Sequence, residues 1–224
     1  FPTSSLRSPT RRAATRDTDP LASSGGSKYN GGVARKSQSI DKLLKSWAYV
    51  PGQPVVRQTE GSDGRKVLQM RVDMGVLQME TTGRPDGERP GDFETYYDFL
   101  VATAFAEGAE FRLSDERCAE VDREFFQFYH RRICWLAMKE YARAADDAQH
   151  TLRLMDFTTP NAPDPGWAMM HEQYRPFVMF HRIQASALVD LERAEPNDAV
   201  AVIDAGLDDL ARIFQDHDAE EQID

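Results

Sequence analysis

Residues 135–144 read Trp135-Leu136-Ala137-Met138-Lys139-Glu140-Tyr141-Ala142-Arg143-Ala144: an aromatic, a short polar break, a Tyr, and an Ala three positions further on. Apolar residues recur every three to four positions on both sides of the break, so two helices meet there. Upstream, Val121, Phe125, Phe126, Phe128, Tyr129, Ile133, Trp135 and Leu136 belong to a helix that Ser114 caps and that runs to about Lys139. Asp115 and Glu116 suit the positive end of its dipole. Its polar stripe is confined to Glu120, Glu124, Gln127 and Arg131, which predicts burial on more than one side. Downstream, Ala144, Ala148, Leu152 and Met155 mark the inner face of a helix over about 141–155.

Further out the helical period holds from Asp92 to the end. Asp92 reads as the N-cap of a helix to about Glu107, with Phe93, Tyr96, Tyr97, Leu100, Ala104 and Phe105 on its apolar face and Gly108 as its stop. Residues 157–166 form a Pro-rich loop, and the following helix, Trp167 to Arg193, is kinked or broken by Pro176 near Tyr174-Arg175. Pro196 opens the last helix, with Ala199, Ile203, Leu207, Leu210 and Phe214 facing inward before an acidic end over 216–224.

Ahead of the helices lies a β signature. Ser39 to Trp47 forms a short helix, and Val55 to Thr59 and Lys66 to Met74 form a hairpin around Gly61-Ser62-Asp63-Gly64. Leu68, Met70, Val72 and Met74 alternate with Val67, Gln69, Arg71 and Asp73, a half-buried strand whose Met- and Leu-rich face packs on the helices. Val67-Leu68-Gln69-Met70 recurs as Val76-Leu77-Gln78-Met79, with Gly75 between the copies as a bulge or a turn. Gly83 to Gly91 is an exit loop without the strand-to-helix context of a phosphate cradle. The fold class is therefore α+β, mainly α: a short helix and small β-hairpin or meander over 40–91, then about five helices over 92–215.

The stretch from Trp135 to Ala144, with Ala148, Leu152 and Leu154 after it, resembles the second half of a tetratricopeptide repeat. In such repeats small residues let antiparallel helices approach and aromatics wedge the turn. Arg131 and Arg132 stand where the first half of the pattern has Leu and Gly. A weaker copy runs through Leu188, Leu191, Pro196-Asn197-Asp198-Ala199, Ile203 and Leu207, and its 55-residue offset makes the Pro-rich loop an insertion.

A wider resemblance covers residues 42–214. Leu43-Leu44-Lys45-Ser46-Trp47, Met70 through Glu80, Gly83-Arg84-Pro85-Asp86-Gly87, Tyr129-His130-Arg131, Leu152 through Phe157 and Glu172-Gln173-Tyr174-Arg175-Pro176 are similar to a bacterial family of UvrB/UvrC-motif (UVR) proteins. The resemblance implies a small β element, a repeat-like helical region and a following UVR hairpin. That hairpin is not seen before Asp224. No catalytic residues are implied.

Charge excludes some function classes. Residues 1–40 hold seven Lys/Arg against two Asp, a net +5, so the remainder carries −15 of the overall −10. An acidic body disfavours phosphate backbones, and weak, nonspecific nucleic-acid binding is assigned to the tail alone. That tail, residues 1–39, is rich in Ser, Thr, Gly, Arg and Pro, lacks apolar periodicity and reads as disordered. The chain begins at Phe1 rather than Met, which leaves its true ends open. No run approaches the roughly 18 apolar residues of a membrane span. Cys118 and Cys134 are too few for a disulfide framework, so a reducing cytoplasmic setting is expected.

Chemistry-bearing motifs are sparse. His130 and Cys134 share a helical face but lack further ligands in any recognised spacing, so neither metal nor cofactor is expected. Asp146-Asp147 and Asp204, Asp208 and Asp209 read as solvated helix faces. Arg131-Arg132 with Arg175 and Arg182 form the only basic set in the acidic body, and partner contact is assigned to Gln127, Arg131, Arg175, His181 and Arg182. The expectation is a non-catalytic protein-interaction or scaffold module with a protein partner. Its groove is either open or filled by the chain's own 93–105 helix or β element. The rival readings are a DNA-repair accessory protein and an enzyme with a pocket of perturbed groups.

Overall fold

A turn of only three residues separates helix α3 (Asp115–Ala137) from helix α4 (Tyr141–Thr158), and the two pack side by side as a hairpin. Ala144 and Ala148 are fully buried where they meet their neighbours, as the small-residue spacing predicts. The computed structural model describes residues 39–221, with side chains through 215. The expected disorder of the tail falls almost wholly outside the described residues, as does the end of the acidic terminus.

Helix α4 also packs on α6 (Arg175–Glu192), and α6 on α7 (Pro196–Glu221). The expected fourth helix is broken in two: α5 (Pro165–Glu172) precedes α6, and Pro176 falls in the first turn of α6, where its missing N–H costs nothing. Both hairpins turn on one left-handed residue, Lys139 at φ 62° and Ala194 at φ 60°. The closing bonds match at an offset of 55 residues. Glu140 N–H donates to Trp135 C=O and Glu195 N–H to Asp190 C=O, each at 2.9 Å, while Lys139 donates to Leu136 and Ala194 to Leu191, each at 3.1 Å. These are Schellman closures, which absorb the last carbonyls of a helix.

The sheet is an antiparallel meander of β1 (Val55–Glu60), β2 (Lys66–Val72) and β3 (Gly75–Glu80), preceded by the short helix α1 (Asp41–Ser46). Leu68 pairs with Met79 and Met70 with Leu77, so the repeated Val-Leu-Gln-Met motif is two neighbouring strands packed against each other. Val72 pairs with Gly75, making Asp73-Met74 a two-residue turn. Met74 is therefore 90 % exposed rather than part of the inner face, and Gly75 closes a turn and starts β3, the turn and not the bulge of the two alternatives. The inner face, Leu68, Met70 and Met79, packs on Cys134, Trp135 and Ala144, so sheet and helices share a core. The opposite face is covered too, because Val67 and Arg71 are buried. Arg71 Nε donates to the carbonyl of Trp47 at 2.9 Å and Nη1 to that of Gly75 at 3.0 Å, stitching the chain after α1 to the β2–β3 turn.

Helix α2 (Tyr96–Glu107) begins three residues later than expected, capped by Thr95 and not Asp92. Asp92 instead ends a short 3-10 turn, Pro90–Asp92, with a left-handed backbone at φ 67°. Gly108 stops α2 and Ser114 caps α3, both as predicted. A second core joins Leu100 of α2, Val121 and Phe125 of α3, Leu152 and Met155 of α4 and Val178 and Met179 of α6. Phe105 is exposed, against its expected place on the inner face of α2, and so are Ile203, Leu207 and Phe214 on α7. Among the described residues no helix is long and apolar enough to cross a membrane.

Candidate functional site

The polar stripe of α3 does not face water. Glu124 and Arg131 are buried, whereas Phe126 is 60 % exposed, so the helix is turned so that its charges anchor other elements and an aromatic edge is left outside. Glu124 accepts from the backbone N–H groups of Tyr96 at 2.6 Å and Tyr97 at 3.0 Å, at the start of α2. It also meets His150 Nε2 at 2.9 Å, and that imidazole stacks on Phe128. Arg84, equally buried, sits 2.6 Å from Glu120 and 3.7 Å from Glu124.

Two turns further along, the guanidinium of Arg131 grips Asp147 on α4 with two bonds of 2.9 and 2.7 Å. Its Nη1 donates to the carbonyl of Gly83 at 2.7 Å, tying the exit loop of the sheet to the helical hairpin. Arg132 is buried beside it but has different company. Its Nε donates to Nδ1 of His181 at 3.2 Å and its Nη1 to Oγ1 of Thr151 at 3.1 Å. Both partners are neutral. Burial, and then the adjacent Arg132, hold the His181 pKa down at about 4, and burial lowers that of Arg132 to about 10 against the pull of Asp147. Among the described residues no carboxylate lies within ion-pair distance of Arg132.

Arg132 lines a cleft of about 520 Å³ between α3 and α6, whose other walls are Phe125, Phe126, Tyr129, Tyr174, Phe177 and Val178. Phe125, Tyr129 and Arg132 stand at i, i+4 and i+7, one face of α3. The groove is thus neither fully open nor filled. The sheet covers its Ile133–Leu136 end, and the Phe126–Tyr129 end remains accessible.

The five residues assigned to partner contact are not brought together. Arg131 is spent on Asp147 and two carbonyls, which corrects its reading as a surface contact. His181 is buried against Arg132 for the same reason. Gln127 donates to Asp86 Oδ2 at 2.7 Å beside a different cleft, between β3 and α3. Arg175 pairs with Glu172 at 2.5 Å and Asp156 at 2.7 Å, which holds its guanidinium above its usual range. Arg182 lies in a third cleft, where it donates to Gln149 Oε1 at 3.1 Å and sits 3.8 Å from Asp209. Asp147, read as a solvated face, is the buried partner of Arg131. Arg132, named in the basic set but not among the five contact residues, is the one that lines this cleft, and the signal that singles it out is its spacing from Phe125 and Tyr129.

His130 and Cys134 part company as well. His130 Nδ1 donates to the carbonyl of Phe126 at 2.7 Å, while Cys134 lies in the core, where burial pushes its thiol up to about 12. Among the described residues no group of three His, Cys, Asp or Glu is placed to hold a metal ion. No family model matches this chain, and neither a curated protein nor a solved structure does so.

Proposed function

We propose that the protein is a non-catalytic interaction module that docks a protein segment on the aromatic rim of the α3–α6 cleft. The observation that carries this reading is the exposure of Phe126, Tyr174 and Phe177 around one cleft, lined by aromatic rings and Val178 with Arg132 as its charged member. Exposed aromatics grouped at a cleft mark binding surfaces, and partners rich in apolar side chains match them. The preceding helix α5 exposes Met169 and Met170 as well. Matching Schellman turns at Lys139 and Ala194 support a tetratricopeptide-like stack, with α3–α4 and α6–α7 as its two hairpins and α5 as the insertion. Nucleic-acid docking on this body is disfavoured because Arg84, Arg117, Arg123, Arg131 and Arg175 are all engaged with carboxylates. The likeness to UVR proteins remains a proposal carried by the quoted residues.

A photo-crosslinking residue at position 177 tests the reading against one at position 105, which is exposed on a different helix. A discrete adduct is expected from 177 alone, competed by unlabelled protein and lost in Phe126→Ser. Equal labelling from both positions, or an adduct indifferent to Phe126→Ser, would overturn it.

A further inference from the structure

We propose that the floor of the α3–α6 cleft binds a small monocarboxylic acid with a flat apolar body, its carboxylate held by Arg132. The inference goes beyond docking on the rim, since the isolated chain would take up such an acid with no protein partner present.

The first support is a charge imbalance inside the protein. Arg131 and Arg132 are adjacent and both buried, yet the carboxylate beside them is the single one of Asp147, and Arg131 takes both of its oxygens. Arg132 is left with a hydroxyl, a neutral imidazole and the ring of Tyr129, 5.9 Å from its guanidinium carbon, none of which carries a counter-charge. Buried charges in folded proteins are paired, because an unpaired one forfeits its hydration without return. Nη2 of Arg132 donates to no acceptor among the described residues, and the side chain lines the cleft. An anion arriving through the cleft therefore completes an ion pair that the fold leaves half made.

The second support is the shape and chemistry of the walls. Five of the seven lining residues are aromatic, and rings accept flat apolar bodies by offset or edge contact. A volume of about 520 Å³ falls within the range of roughly 300–1,000 Å³ seen for small-molecule sites. The third is the charge that the site can tolerate. Arg132 is the only cation in the lining, two of its nitrogens are committed, and residues 41–224 carry −15. A monoanion fits that setting, whereas polyphosphates and nucleic acids would be repelled.

The test uses the full chain and a panel of benzoate, 3-phenylpropionate, indole-3-acetate and 2-naphthoate, each beside its primary amide, in calorimetric titrations. At least one acid should bind about tenfold or more tighter than its amide, and Arg132→Gln should remove that preference. Because Arg132→Gln alters the core, Phe177→Ser at the exposed mouth is the second variant. It should fold normally and weaken the acid by about tenfold. Amides binding as well as acids, a folded Arg132→Gln that keeps the preference, or no binding by any acid at millimolar concentration would each overturn the proposal. So would binding by a peptide ending in a free Phe carboxylate when no small acid binds, which would assign the site to chain termini. Loss of rim crosslinking with acid binding intact would instead count against docking alone.

Discussion

Glu124 on α3 completes the start of α2 beside its cap Thr95: its carboxylate accepts the backbone N–H of Tyr96 at 2.6 Å, 28 residues earlier in the chain. The first N–H groups of a helix have no partner within it, so a buried helix start requires an acceptor from elsewhere. The same carboxylate takes the N–H of Tyr97 and the imidazole of His150, and so fastens α2, α3 and α4 together. Removing it in Glu124→Ala strands two N–H groups and leaves buried Arg84 with one fewer counter-charge. A loss of about 3–5 kcal/mol in urea unfolding is expected, with Glu124→Gln in between because one acceptor survives.

Arg131 and Asp147 form the other buried pair, and the extra cation at Arg132 makes its two halves unequal. Arg131→Met leaves Asp147 near Arg132, a balanced set. Asp147→Asn leaves two buried guanidinium groups and no carboxylate, so it should cost more, at about 3–5 kcal/mol. Urea midpoints of the two variants decide it, and equal losses would mean that Arg132 does not feel Asp147.

What the sequence disclosed follows from the range of each interaction. Ser114, Gly108, Pro176 and the alternation in Leu68-Gln69-Met70 act within a few residues, and the caps, the break and the strand stand where their chemistry puts them. Asp92 fails as a cap because Thr95 and the distant Glu124 offer better acceptors to α2. Glu120, Glu124, Gln127 and Arg131 look like a wet stripe, since spacing alone does not reveal that Tyr96 and Asp147 wait opposite. The same gap hid the different company of Arg131 and Arg132, which read as one basic pair. The role of Arg132 depends on a charge count over α3, α4 and α6 that exists only once they are packed.

His181 gives the fold a pH dependence with a definite sign. Its folded pKa is about 4 against 6.5 for a free imidazole, so between those values the unfolded chain holds the extra proton. Stability therefore falls as pH drops from about 6.5 to 4, by up to about 3 kcal/mol from this group. Gln at 181 can still accept from Arg132 and does not titrate. Unfolding free energies at pH 7 and pH 5 should differ less in His181→Gln than in the parent, and the same difference in both would remove His181 from the account.

Lys139 and Ala194 occupy left-handed positions that favour glycine, at φ 62° and 60°. A side chain there costs roughly 1–2 kcal/mol, part of which the greater freedom of an unfolded Gly takes back. Lys139→Gly and Ala194→Gly should each raise stability by about 0.5–1 kcal/mol, and by similar amounts, because the two turns close with the same bonds. Thermal midpoints that fall in either variant would show that the turn relies on the side chain it has.

Close approach of the helices makes the sharpest demand at Gly206. A Cβ there would lie 2.4 Å from both Cδ1 and Cγ1 of Ile183, so α7 meets α6 with room for a hydrogen and nothing larger. In an unobstructed helix Ala is favoured over Gly by about 1 kcal/mol, which gives the substitution two opposing effects. Against Ile183 the clash wins, and Gly206→Ala should lose about 1–3 kcal/mol, as should Ala144→Leu and Ala199→Leu at their buried contacts. Ala142→Leu, at an exposed position, should stay within about 0.5 kcal/mol. Ile183→Ala takes away the three atoms nearest to the new Cβ, Cδ1, Cγ1 and Cγ2. In that background Gly206→Ala is expected to change sign and stabilise, leaving the propensity gain alone. A double-mutant cycle in urea measures the reversal; if Gly206→Ala costs the same in both backgrounds, the contact between residues 183 and 206 is not what keeps position 206 small.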